Sequence, residues 1–123
     1  MDRDTFAAWL DRYFAAWRSN DAAEVEALFT EDAVYSYGPF EQVATGRETI
    51  VQNWVEGGVQ PGFETWFEVL AVEGDRGVAN WRVSFDVDEG GRVTLDGILV
   101  CDLDGRGRCT LHREWYVRRE ETR

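Results

Sequence analysis

Lysine is missing altogether from this chain: the thirteen basic residues are all arginine. No side chain can therefore form a lysine Schiff base, which excludes internal pyridoxal-phosphate chemistry and lysine-type aldol chemistry. The avoidance also points to GC-rich, bacterial-type coding. Cations are scarce overall, and the formal net charge is −11. Such a chain repels a phosphate backbone, so nucleic acid is not an expected partner. Histidine occurs once, as His112, and cysteine twice, as Cys101 and Cys109. No cysteine pair has zinc-knuckle spacing, so no metal is expected. The two cysteines flank the turn-like Asp104-Gly105-Arg106-Gly107. A cross-strand disulfide is geometrically conceivable there, but reduced thiols are the plainer reading in a chain expected in the cytoplasm. That location follows from Met1-Asp2-Arg3-Asp4, which opens neither a signal peptide nor an amphipathic presequence. No apolar run approaches the roughly 20 residues of a membrane span, so no membrane partner is expected.

What is present suffices for one core. With 123 residues, 44% of them hydrophobic and 14% aromatic, the chain fits a single soluble domain over residues 1–123. Phe6, Trp9, Leu10, Tyr13, Phe14 and Trp17 recur at spacings of three and four, which predicts an amphipathic helix over residues 5–18 with Asp4 as N-cap. A second, short helix is predicted over 22–29, then a strand over 33–37 ended by Gly38-Pro39, and a loop over 42–46. A third helix begins at Thr45 or Gly46, with Ile50, Val51, Trp54 and Val55 as its stripe and Gly57-Gly58 as its stop. Beyond Pro61-Gly62 the period drops to two, giving strands over 64–73, 78–88, 92–103 and 109–118. Helices followed by a meander indicate an α+β domain with an antiparallel sheet. The charged residues 118–123 read as a frayed end.

The order of the first fifty residues carries a resemblance. The helix with Tyr13 and Trp17 is followed by Ala27-Leu28-Phe29-Thr30-Glu31-Asp32-Ala33-Val34, then Tyr35-Ser36-Tyr37, then Gly46-Arg47-Glu48-Thr49-Ile50. This order resembles the SnoaL-like branch of the nuclear transport factor 2-like superfamily. The resemblance implies a cone-shaped, curved and mostly antiparallel sheet wrapped around N-terminal helices, with an interior pocket. Members include isomerases, cyclases, epoxide hydrolases and binders, so the polar residues of the pocket must decide the chemistry.

Which residues face that pocket is legible in one strand and open in two. Trp81, Val83, Phe85 and Val87 alternate with polar residues and belong inside. In the last strand, periodicity alone would bury Leu111, Arg113, Trp115 and Val117. A resemblance to the ketosteroid isomerases of the same superfamily implies the opposite register, with Leu99, Cys101, His112, Glu114 and Tyr116 inward. An apolar outer face of Ile98, Val100, Leu111, Trp115 and Val117 would then need a cover, and a homodimer supplies one. In the same comparison Tyr37 and Leu99 fall where those enzymes carry their two carboxyl groups, so steroid isomerisation by that route is not implied, although Tyr13 persists.

His112 and Glu114 sit two apart on a strand, facing one side about 7 Å apart. In the pocket they would form an acid/base pair, with Tyr13 as hydrogen-bond donor; at the open end of the sheet they would be ordinary strand polars. Asp96 precedes Gly97, and a bulge at that glycine would re-aim the carboxylate inward, whereas alternation leaves it outside. Trp17, Tyr37, Trp54, Trp81, Phe85, Leu99 and Tyr116 are the candidate ligand contacts, each also readable as core packing. The Asp-Arg-Asp set of an epoxide hydrolase is not offered by Arg113-Glu114, which point to opposite faces. The expected function is a pocket for a small apolar, oxygenated ligand, with cofactor-free isomerase, cyclase or dehydratase chemistry. The alternative is a non-catalytic binding, dimerisation or accessory module.

Overall fold

Asp2, rather than Asp4, opens the first helix. Its carboxylate accepts the Thr5 backbone N–H at 2.7 Å, satisfying one of the amides left bare at a helix start. In the computed structural model, which describes residues 1–40 and 43–122, α1 then runs Arg3–Ser19 and closes at Asn20 in the left-handed region. Asp21 caps α2 (Ala22–Glu26). This helix stops short of residue 29 because the sheet claims the residues that follow: Cys109 N–H donates to Leu28 O at 2.7 Å, and β1 is Phe29–Ser36. Part of the expected loop over 42–46 is the strand β2 (Val43–Thr45), and Gln42 lies outside the described residues. There follow α3 (Arg47–Gly57), β3 (Glu64–Glu73), β4 (Arg76–Val87), a 3-10 turn (Asp88–Gly90), β5 (Gly91–Leu103) and β6 (Cys109–Thr122). The expected frayed end is a correction: β6 continues to Thr122, paired with Gly91. Its side chains there stand in solvent, with Arg118–Glu120 and Arg119–Glu121 ion pairs along the strand, so backbone pairing rather than burial orders it. Arg123 lies outside the described residues.

The six strands form one curved, unclosed sheet in the order β2-β1-β6-β5-β4-β3. It is mixed rather than wholly antiparallel, because β1 and β6 run parallel. A parallel pair needs a long crossover, and here the intervening chain, from β2 through β5, supplies it. The sheet curls around α1, whose Phe6, Trp9, Leu10, Tyr13 and Phe14 are buried against Ala79, Trp81 and Val83 of β4 and Leu99 of β5. Full burial of each large apolar side chain contributes about 1.5–3 kcal/mol. The packing is close enough to constrain the sheet backbone. A Cβ on Gly97 would lie 1.9 Å from Trp115 O, on the facing strand.

β6 takes the register implied by the ketosteroid isomerase resemblance and not the one periodicity favours. His112 and Glu114 are 0% and 5% exposed, whereas Trp115 and Val117 are 39% and 72% exposed. Spacing alone would put Cys109 and His112 on opposite faces. A register shift between Asp102 and Leu103 in the β5–β6 pairing accommodates an extra residue and lets both point inward. Gly97 pairs regularly with Tyr116, so it marks a close approach of two strands, not a bulge. Among the described residues, no helix is long and apolar enough to cross a membrane.

Candidate functional site

Neighbouring strands β1 and β6 present their inward residues side by side. Tyr35 is paired with His112 in the parallel register, and the two rings stack at 4.2 Å. Tyr13 of α1 covers the same imidazole from the helix side, with ring centroids 5.1 Å apart. The two tyrosine rings help to remove His112 from solvent and fix its orientation.

Glu114 is where these groups converge. Its Oε1 accepts from Tyr35 Oη at 2.5 Å and from His112 Nε2 at 2.9 Å, with Tyr13 Oη at 3.4 Å. Tyr35 has one proton, and it lies on Glu114. Tyr13 is therefore the donor in its 2.6 Å contact with Tyr35 Oη. Burial, then the charge of Glu114, pushes both phenols well above their ordinary pKa of 10, so they remain donors. Donors on one oxygen hold the carboxylate still and stabilise its charge. Glu114 also lines the neighbouring cavity.

Behind Glu114 the imidazole meets two thiols. His112 Nδ1 lies 3.0 Å from Cys101 Sγ, and both sulfurs and a ring nitrogen fall within 4.8 Å of one another. Both cysteines are free and buried. This is the one group of at least three such donors among the described residues, and a structural Zn²⁺ takes four. Glu114 sits on the other ring nitrogen and cannot complete the set, so the cluster is read as a hydrogen-bonded core. Burial alone would lower the His112 pKa, but hydrogen bonds to Cys109 and Glu114 raise it from 6.5 to about 9. Burial would raise the Cys109 thiol, but hydrogen bonds from Cys101 and His112 lower it from 9.0 to about 6. The raised imidazole stabilises the fold fully below 6.5 and loses that contribution as pH climbs through 9. The lowered thiol stabilises it fully above 9 and loses that contribution as pH falls through 6. Between those limits the opposing slopes, each about 1.4 kcal/mol per pH unit, cancel.

The cavity has a volume of about 430 Å³, within the range of small-molecule sites. Of the sequence candidates, Trp17, Tyr37, Trp54, Glu114 and Tyr116 line it. His112 does not; it stands behind Glu114. Tyr13 does not either, since its hydroxyl is committed to Tyr35. Trp81, Phe85 and Leu99 are buried in the core, Trp81 backing the wall 5.8 Å from both Trp17 and Tyr116. Asp96 is placed on the outer face, 2.8 Å from Arg82 and 3.0 Å from Asn80, because no bulge turns it inward. Sequence reasoning missed Tyr35, Asn53 and Gln60, which also line the cavity. Tyr35 was legible: it is two residues from Tyr37 on one strand and so shares its face. Gln60 accepts the Trp17 indole N–H at 2.7 Å, a loop contact no periodicity reveals. Tyr37 Oη is buried beside Asn53 without a well-formed hydrogen bond.

N-terminal helices thus lie within a curved, unclosed mixed sheet, beside a cavity lined by aromatic side chains and a carboxylate. The model of the SnoaL-like domain matches residues 10–112, and the chain belongs to that family. Among solved structures it is similar to an LEH-like epoxide hydrolase of M. tuberculosis, with a TM-score of 0.74 at 19% identity, covering 89% of this chain and 80% of that one. It is also similar to RV0760c of Mycobacterium tuberculosis, with a TM-score of 0.82 at 10% identity, covering 98% of this chain and 99% of that one. Both likenesses concern the fold alone. No curated protein matches the sequence.

Proposed function

We propose that this domain binds a small, largely apolar molecule and performs cofactor-free acid/base chemistry on it: isomerisation, ring closure or dehydration. The observation that carries the reading is Glu114, a buried carboxylate whose Oε1 is held by Tyr35 and His112 and which also lines the cavity. Glu114 Oε2 takes a proton from a carbon next to a carbonyl and returns it at another position, or returns it to a departing hydroxyl. Tyr37 Oη, which has no well-formed hydrogen bond of its own, donates to the substrate oxygen where charge develops. His112 and Tyr13 are positioning residues, acting through Glu114 and Tyr35. Among the described residues neither arginine nor aspartate lines the cavity, so an Asp-Arg-Asp set for epoxide opening is not assembled from them there. A non-catalytic binder would need no carboxylate at the foot of the pocket, and its desolvation favours the catalytic reading.

The test is a panel of oxygenated mono- and polycyclic compounds, screened by tryptophan quenching for binding and by mass spectrometry and proton exchange from solvent for turnover. For any compound turned over, Glu114→Gln is expected to lower kcat by about 10²–10⁴-fold with KM nearly unchanged. Binding without turnover or exchange across the panel would reduce the protein to a binder. An unchanged kcat in the variant would remove Glu114 from the chemistry.

The outer face carries Ile98 directly opposite Trp115, with Val117 beyond them, all exposed. We propose that a second copy covers this patch, since a two-fold axis brings like residues together. Trp115→Glu is expected to halve the mass measured by light scattering while leaving the circular dichroism spectrum intact; a wild-type monomer at tens of micromolar ends the proposal.

A further inference from the structure

The cavity has a sign as well as a size. None of the twelve arginines among the described residues lines it, and neither does the histidine, yet two carboxylates do: Glu114 at its foot and Glu56 at its mouth. His112 stands on the far side of Glu114, so what a ligand meets is the carboxylate oxygen. The helices add to this. Asn20, the C-cap of α1, and Gly57 and Gly58, the last residue and C-cap of α3, all border the opening. Two helix C-termini, each carrying roughly half a negative charge in partial form, therefore converge on one entrance. No basic residue in the last turn of α3 offsets its end. The last turn of α1 has Arg18, but its guanidinium lies over the Phe63 ring at 5.2 Å. Between mouth and foot stand the rings of Trp17, Tyr37, Trp54 and Tyr116, whose faces attract cations.

We propose that the pocket selects ligands bearing an ammonium group, a protonated or quaternary amine on a compact apolar skeleton, with the cation near Glu114 Oε2 and the skeleton between the aromatic walls. The proposal rests on the pocket reading above and adds the charge of the ligand to it. The carboxylates and helix ends at the cavity favour a cation, and the His112 imidazole, which does not line the cavity, engages Glu114 through Oε1. The net charge of −11 extends the same bias into the surrounding solvent and steers cations inward. A carboxylate or phosphate ligand would meet like charge with no basic partner.

Three compounds of one skeleton isolate the sign: 1-adamantylamine, 1-adamantanol and 1-adamantanecarboxylate, titrated at pH 7 by tryptophan fluorescence and calorimetry. The ammonium is expected to bind at least about tenfold more tightly than the alcohol, and the carboxylate not measurably. Glu114→Gln should erase most of that ratio. Glu56→Gln, at the exposed mouth where folding is not at stake, should reduce it about two- to threefold through weaker electrostatics. If the alcohol binds as tightly as the ammonium, or if neither variant changes the ratio, charge selection is overturned while the pocket reading stands. If none of the three perturbs the folded protein, the cavity does not accept groups of this size and both readings fall.

Discussion

Gly97→Ala is expected to remove most of the stability of this protein, by more than about 4 kcal/mol. The added methyl group has nowhere to go. It would lie 1.9 Å from Trp115 O and 2.7 Å from Tyr116 Cα, and backbone atoms cannot turn aside as a side-chain tip would. Relief requires β5 and β6 to separate in the middle of a pairing that runs from Gly91 to Leu103. Each ladder bond opened costs about a kilocalorie per mole, more where the groups stay buried. The variant should melt on the order of 15 °C lower, or accumulate as insoluble protein. Gly105→Ala is the matched control, because nothing lies within 4 Å of a Cβ there; its effect should stay within about 0.5 kcal/mol. Melting curves within a few degrees of each other would show that the strands do not hold this spacing.

The second large effect concerns charge. His112→Leu keeps a side chain of similar bulk between Tyr13 and Tyr35 but strips Glu114 of its nitrogen donor. A carboxylate 5% exposed is then left with the phenols alone, and removing one partner of a buried pair costs about 3–5 kcal/mol. The loss belongs to the stranded carboxylate rather than to the missing imidazole. It follows that Glu114→Gln in the same chain should recover at least half of it, since a neutral amide is far cheaper to bury. Urea unfolding of wild type, both single variants and the double variant gives the coupling energy directly. Strict additivity would mean that the 2.9 Å contact carries no energy of its own.

Much of the frame was readable before any coordinates. Helical periodicity placed α1 and α3 to within two residues at each end, and the change to period two placed β3 at residues 64–73. Local patterning could not show that Phe29 opens a strand and that Leu28 O accepts from the sheet, because their partner, Cys109, is some eighty residues away. Nor could it orient β6. That strand is apolar on the outer face and carries its polar pair inward, the reverse of a half-buried strand, and only the family resemblance supplied the register. The site was half legible for a related reason. His112 and Glu114 stood out as a pair, but which of them meets the cavity depends on a stacked tyrosine from another strand. The Cys109 inward turn depends on an extra residue in a ladder, which no alternation rule encodes.

The parallel contact between β1 and β6 sets the order of events during folding. Tyr35 and Glu114 are separated by 79 residues, and Tyr13 and Glu114 by 101, so the two ends of the chain must meet before the carboxylate has its donors. Hairpins β3–β4 and β4–β5 close over short loops and can form early, whereas this closure carries the larger entropic cost and comes late. An intermediate with a well-made meander thus has no pocket at all. On the proposed reading, a nascent chain acquires its binding site only after β6 has been synthesised, and a ligand would recognise completed molecules alone.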